Sequence, residues 1–188
     1  MSTKKNSKAK RLPGDPTREQ MIERMIRVDH AGEYGAVRIY QGQLAVLGNQ
    51  ASAPAIEHML EQEKAHLETF DGLVAGRRVR PTALMPFWHL AGFALGAGTA
   101  LLGEKAAMAC TVAVEETIDE HYADQIERLE GDGEEAELRQ TCVEFRDDEL
   151  AHRDTGLAMG AEQAPGYEIL TGAIKAGSRL AIWLSTRV

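Results

Sequence analysis

Apolar residues recur along most of the chain at spacings of three and four, the period of an α-helix, and almost no stretch alternates as a strand would. The first helix is predicted to begin near residues 15–17, where Asp-Pro-Thr supplies an N-cap and a first-turn proline, and to end at residues 48–49. A second helix is predicted from about 52 to 75. Gly76 and Pro81 are expected to break it.

The remaining pattern predicts further helices, separated by glycine and proline. No charged residue occurs from Thr82 to Gly103, and four glycines are spaced through this apolar segment. Helices are then predicted over about 104–130 and 134–159, and a last one after Pro165-Gly166 that reaches almost to the end. The sequence therefore predicts an all-α domain of about six helices, four of them long.

Composition narrows the class of protein. The 188 residues are enough for one well-filled core, so we expect a basic, flexible tail over 1–14 and a single domain over 15–188. The net charge of −8, with five basic and no acidic residues in 1–12 and therefore a more acidic remainder, speaks against a nucleic-acid-binding body. Without a secretory signal, Cys110 and Cys142 are predicted to be free core thiols in a reducing compartment.

Charged and imidazole side chains interrupt the apolar faces of two predicted helices at the same spacing. Glu63-x-x-His66 lies on the inward face of the second helix, and Glu149-x-x-His152 on that of the fifth. Two such pairs arise easily by chance in an acidic chain. Their inward position is more informative, because a lone buried carboxylate costs several kcal/mol unless it is paired or bound to a metal.

Two more carboxylates lie on inward faces. Glu33 lies on that of the first helix, with His30 at its edge, and Glu115 on that of the fourth. Its neighbour Glu116 falls on an acidic row that is expected to face water. Glu115 lies about four turns before the glycine turn at 131–133 and Glu149 about four turns after it, so the two come level.

Two of the helices thus contribute one Glu each, and two others contribute one Glu-x-x-His each. This is the ligand set of ferritin-like di-iron and di-manganese sites. The plainer interpretation is one buried acid pair with hydrogen-bonded core histidines, but it has to explain six aligned polar residues. Oxygen and imidazole ligands without a thiolate favour iron or manganese over structural zinc. Asp148 is a candidate acceptor for a ligand histidine.

Several longer stretches carry a family resemblance that covers nearly the whole chain from about Met21. They are RVDHAGEYGAVRIYQGQ (27–43), EKAHL, CTVAVEETIDEHY (110–122), ELAHRD and GSRLAIWLSTRV (177–188). They resemble the 5-demethoxyubiquinone hydroxylase family of ubiquinone biosynthesis. The resemblance implies a ferritin-like domain and two irons, held by Glu33, Glu63, His66, Glu115, Glu149 and His152. It also implies a polyprenylated quinol substrate, with His121 and Tyr122 beside its pocket in electron or proton delivery.

The resemblance implies a monooxygenase reaction, in which one atom of O2 enters the quinol ring and the other leaves as water. Electrons are expected from NADH, directly or through a reductase, or from the quinol itself. No glycine-rich dinucleotide fingerprint occurs in the sequence. Tyr122 shares the inward face with Glu115, so its hydroxyl is expected to hydrogen-bond a quinol oxygen. An ordinary core tyrosine is the alternative.

The segment 82–103 is long enough for a transmembrane helix, yet ligands precede and follow it, so we expect a surface crossover helix instead. With an amphipathic last helix it would rest on lipid, making this a peripheral protein on the cytoplasmic face of a bacterial inner membrane or the mitochondrial matrix face. Alternatively, this apolar surface is covered by a second subunit in a homodimer or by another ubiquinone-biosynthesis protein.

Two alternative functions remain for the whole chain. They are a ferritin-like oxidase or peroxidase and a membrane-surface adaptor.

Overall fold

The computed structural model describes residue 12 and residues 14–188, so most of the predicted 1–14 tail lies outside the described residues. That part of the chain contains six α-helices, two short 3-10 turns and no strand. The helices are α1 (Arg18–Leu47), α2 (Ala53–Arg77), α3 (Met85–Leu101), α4 (Glu104–Arg128), α5 (Ala136–Ala158) and α6 (Tyr167–Ser185). The all-α prediction is confirmed.

Four helices enclose the core, and the other two pack on its outside. Helix α1 pairs with α2, α4 pairs with α5, and α2 meets α5 across the bundle. Helix α3 lies against α1, and α6 lies against α4. The first three helices and the last three therefore repeat one arrangement, with the third helix of each set packed against the first.

Two helix ends differ from the sequence prediction. Helix α1 is capped by Thr17, whose side chain accepts from the backbone of Gln20 in a capping box, so it begins slightly later than Asp15. Helix α2 continues through Gly76 and ends where Arg78 adopts a left-handed conformation with φ 55°. The backbone N–H of Val79 then bonds the carbonyl of Val74 at 3.0 Å, and buried Val79 anchors this C-terminal turn.

Helix α3 packs unusually close to α1 because glycines line the contact. A Cβ built on Gly96 would lie 1.9 Å from the carbonyl oxygen of Ile39, and one on Gly42 would lie 2.3 Å from that of Phe93. Helix α3 is thus the surface crossover helix that the apolar segment predicted. No helix in the described part of the chain has the length and hydropathy needed to span a bilayer.

Candidate metal centre

The six side chains predicted as metal ligands meet in the middle of the bundle. They form two groups of four whose ligand atoms all lie within 4.8 Å of one another: Glu33, Glu63, His66 and Glu149 in one, and Glu63, Glu115, Glu149 and His152 in the other. Glu63 and Glu149 belong to both groups. The arrangement therefore offers two adjacent positions that share two carboxylates.

Glu149 illustrates how the shared carboxylates face both positions. Its Oε1 lies 3.5 Å from Nδ1 of His66, and its Oε2 lies 3.5 Å from Nδ1 of His152. Nδ1 of His152 is also 3.1 Å from Oε1 of Glu63. Both imidazoles therefore turn Nδ1 toward the cluster and Nε2 away from it.

The cluster is dry and short of positive charge. All six side chains are buried, and each has at least one buried polar atom without a hydrogen-bond partner. Burial, followed by the charge of Glu149, raises the pKa of Glu63 and Glu115 well above the ordinary range. Burial opposes ionisation of Glu149 too, yet the neighbouring imidazoles of His152 and His66 lower its pKa to about 2.

These unpartnered atoms fit two divalent cations. Four carboxylates have a formal charge equal and opposite to that of two such ions, so metal binding would allow all of them to ionise in a dry interior. The donors are carboxylate oxygens and imidazole nitrogens, and both cysteines are free and buried outside the two groups. That donor set suits iron or manganese.

Four side chains around the cluster hold the ligands by hydrogen bonds. Asp148 Oδ2 lies 3.0 Å from Nε2 of His66, and Gln62 Oε1 lies 3.2 Å from Nε2 of His152. The hydroxyl of Tyr40 donates to Glu115 at 2.5 Å, and that of Tyr122 donates to Glu33.

Sequence reasoning named Asp148 and Tyr122 but missed Gln62 and Tyr40. A comparison of the two chain halves could have found both. Gln62 directly precedes Glu63 as Asp148 precedes Glu149, and Tyr40 follows Glu33 by the same interval as Tyr122 follows Glu115.

His121 lies outside the cluster, next to Tyr122. Its Nε2 lies 3.0 Å from Oδ1 of Asp29, a buried carboxylate that also accepts from Gln125 at 2.7 Å. His121 also lines an open groove of about 230 Å³ between α4 and α6. The groove is lined by Thr117, Glu120, His121, Arg179 and Ile182. His121 is thus placed between the protein surface and the interior.

Two neighbours of the ligands are not part of the cluster. Glu116 points away from the cluster, as predicted, but it is only 34% exposed because it forms an ion pair with Lys175 of α6, which partly covers that face of α4. His30 is buried, and its Nε2 lies 2.9 Å from Asp71.

Residues 20–185 match the family model described as Ubiquinone biosynthesis protein COQ7. The chain belongs to the COQ7 family. It is 64% identical over 179 residues to the 3-demethoxyubiquinol 3-hydroxylase of Rhodospirillum rubrum, an alignment that covers 95% of this chain and 84% of the relative.

Other relatives of this COQ7 family member are mitochondrial. The human NADPH-dependent 3-demethoxyubiquinone 3-hydroxylase is 58% identical over 169 residues, covering 89% of this chain and 78% of the human protein. The 5-demethoxyubiquinone hydroxylase of Saccharomyces cerevisiae is 43% identical over 182 residues, with coverage of 89% and 78%. The family resemblance inferred from the sequence motifs is confirmed, and with it the ferritin-like class of the fold.

Proposed function

We propose that this COQ7 family member is a di-iron monooxygenase that hydroxylates the ring of a polyprenylated demethoxyubiquinol with O2 in ubiquinone biosynthesis. The observation that carries the proposal is the pair of adjacent four-ligand groups sharing Glu63 and Glu149. The relatives whose names specify this hydroxylation support the choice of substrate.

The reaction breaks a ring C–H bond and forms a C–O bond with one atom of O2. The other oxygen atom takes up two electrons and two protons from a reductant and leaves as water. Two irons bound by Glu33, Glu63, His66, Glu115, Glu149 and His152 would supply the activation of O2. The protein contributes the balancing negative charge and a water-poor interior, since the six ligands are nearly inaccessible to solvent.

Tyr122 and His121 lie on the side of the metal centre where the substrate binds and protons are transferred in this proposal. Tyr122 fixes the orientation of Glu33 through its hydroxyl, and in this proposal the quinol ring enters beside it. His121, held by Asp29 and reachable from the groove, moves protons between that groove and the site.

A reduced nicotinamide nucleotide is the electron donor in this proposal. The names of several mitochondrial relatives specify NADPH, whereas the expectation from the sequence was NADH, directly or through a reductase, or the quinol itself. The chain lacks a Rossmann fingerprint, so the nucleotide binds either at another kind of site or on a reductase.

The exposed apolar surface of α3 and α6 is where the enzyme rests on the membrane that holds its substrate. Phe87, Leu90, Leu180 and Trp183 are all more than half exposed. Trp88 Nε1 donates to Ser185 at 3.0 Å, so the start of α3 and the end of α6 lie together. The prenyl chain stays in the lipid while the ring enters the bundle, on the cytoplasmic or matrix face. A second copy or another ubiquinone-biosynthesis protein can cover the same surface.

The test is a single-turnover reaction. Purified protein is assayed for iron, reduced anaerobically, incubated with demethoxyubiquinol and exposed to O2, and the product mass is measured. We expect about two irons per chain and a gain of one oxygen atom that derives from labelled O2. Iron binding without quinol oxidation, or peroxide removal in its place, would instead support the ferritin-like oxidase or peroxidase.

A further inference from the structure

The two ligand imidazoles have chemically different partners on their outer nitrogens. Nε2 of His66 lies 3.0 Å from the carboxylate of Asp148, whereas Nε2 of His152 lies 3.2 Å from the amide oxygen of Gln62. Gln62 in turn donates its amide N–H to the other oxygen of Asp148 at 3.3 Å. One hydrogen-bonded chain thus joins both imidazoles, and its negative charge lies at the His66 end.

The remaining contacts of the two positions are closely matched. Both positions share Glu63 and Glu149. Each has one further carboxylate that accepts from a tyrosine, Glu33 from Tyr122 and Glu115 from Tyr40. The clearest chemical difference in these outer contacts is therefore the one at the imidazoles.

This difference acts on metal affinity through the imidazole ring. A carboxylate that accepts the Nε2 proton increases electron density at Nδ1 and makes it a better ligand, while a neutral amide mainly fixes the ring orientation. Loss of such a partner typically lowers metal affinity about 10- to 100-fold. Asp148 is 42% exposed, so solvent screens its charge and an effect of about tenfold is expected.

Packing adds to the difference at His66. The ring of Phe145 stacks on that of His66 with centroids 3.8 Å apart and an angle of 19° between the planes. His152 has an edge contact with Tyr40, whose ring centroid is 6.2 Å away. The His66 ring is thus held in plane by Phe145 and in orientation by Asp148.

We propose that the two metal positions are unequal, and that a divalent transition metal fills the His66 position before the His152 position because Asp148 carries a charge that Gln62 lacks. The inference rests on the proposed function in taking the cluster as a metal centre. A half-loaded protein would then hold its metal at Glu33, Glu63, His66 and Glu149.

The experiment is a titration of the metal-stripped full chain with Co²⁺, followed by calorimetry and by visible absorption. The wild-type protein should take up two ions in two steps, the first about tenfold tighter than the second. Asp148→Asn keeps the shape but removes the charge, so it should weaken the first step about tenfold and merge the two. Gln62→Glu should tighten the second step instead.

Asp147→Asn is the matched control, since Asp147 is the exposed neighbour of Asp148 and its loss removes the same charge. It should leave both steps unchanged. Equal affinities in the wild type, or equal effects of Asp147→Asn and Asp148→Asn, would overturn the inference while leaving a two-metal centre intact. Failure of every variant and of the wild type to bind Co²⁺ would overturn the metal centre as well.

Discussion

At the scale of single residues, each of the two tyrosines beside the cluster donates its hydroxyl to a carboxylate on the other helix. Tyr40 and Glu33 lie on α1, and Tyr122 and Glu115 lie on α4, yet Tyr40 donates to Glu115 and Tyr122 donates to Glu33. Each hydroxyl satisfies one oxygen of a buried carboxylate and leaves the other oxygen facing the cluster. The donors therefore orient the carboxylates toward the metal positions.

Tyr122→Phe is expected to leave two metals bound and to slow product formation. The phenol is buried and contacts Glu33, so its loss removes a hydrogen bond worth roughly 1.5–3 kcal/mol to a charged acceptor without removing a ligand. Tyr40→Phe is the matched control because it removes the equivalent bond to Glu115. Metal content and single-turnover rates of both variants are the measurements.

Contact of Tyr122 with the quinol would make Tyr122→Phe slower than Tyr40→Phe. A wild-type rate in Tyr122→Phe would disprove any role of this hydroxyl in turnover.

Glu115→Ala is expected to abolish turnover and lower the metal content, whereas Glu116→Ala should preserve most of both. Only Glu115 is turned into the cluster, at 1% exposure, while Glu116 reaches Lys175 of α6. The pair on the surface contributes at most about 1 kcal/mol, so its loss should leave the fold intact. Iron analysis and activity assays on the two variants provide the check. Equal losses in both would contradict the assignment of Glu115 as a ligand.

At the scale of helices, the approach of α3 to α1 depends on the absence of side chains at a few positions. Gly96 is buried against the backbone of Ile39, whereas Gly98, on the same helix, is exposed and has open space around it. Because α1 carries Glu33 and Tyr40, the position of α3 also supports the wall of the metal centre from outside.

Gly96→Ala should therefore destabilise the protein by about 3 kcal/mol or more, because its methyl group would collide with a backbone oxygen that cannot move away easily. Gly98→Ala removes the same flexibility from the same helix without a collision, and should stabilise it by about 0.5–1 kcal/mol. Denaturant unfolding of both variants measures the difference. Comparable stability of Gly96→Ala and Gly98→Ala would show that α3 can move away from α1 at little cost in free energy.

At the scale of the whole molecule, ligands that precede and follow α3 in the sequence meet in one cluster, which excludes a single crossing of a bilayer by that helix. Helix α3 has 17 residues and is about 25 Å long, shorter than the roughly 30 Å of a hydrocarbon core. Its exposed Phe87 and Leu90 lie on the outside of the bundle, as do Leu180 and Trp183 of α6. Arg187 lies over the Trp183 ring at 4.2 Å, a basic and aromatic pairing typical of lipid interfaces.

We predict that high-pH carbonate releases the protein from native membranes, as expected for interfacial attachment by α3 and α6. The variant Phe87→Asp with Trp183→Asp should be recovered in the soluble fraction even before the carbonate wash, with its metal content unchanged. Retention of the wild type after carbonate, or protease protection of the chain on only one side of α3, would refute interfacial attachment.

The sequence by itself determined the six helices, the inward position of all six candidate ligands and the apolar surface of α3. Helical period fixes which side chains share a face, so Glu33, Glu63, Glu115 and Glu149 could be assigned without knowing how the helices pack. Equal distances from the glycine turn at 131–133 then placed Glu115 level with Glu149.

Only the tertiary structure decided which side chains meet across helices. Asp148 contacts His66 of another helix, and Tyr40 donates to Glu115 of another helix. Helix α6 partly covers Glu116 of α4. All of these contacts depend on the crossing angle and register between helices. Residues far apart in the chain set that register through packing, such as the contact of Gly96 with Ile39. A helical period records the face of a residue but not its neighbour on the next helix, so these partners could not be assigned from period alone.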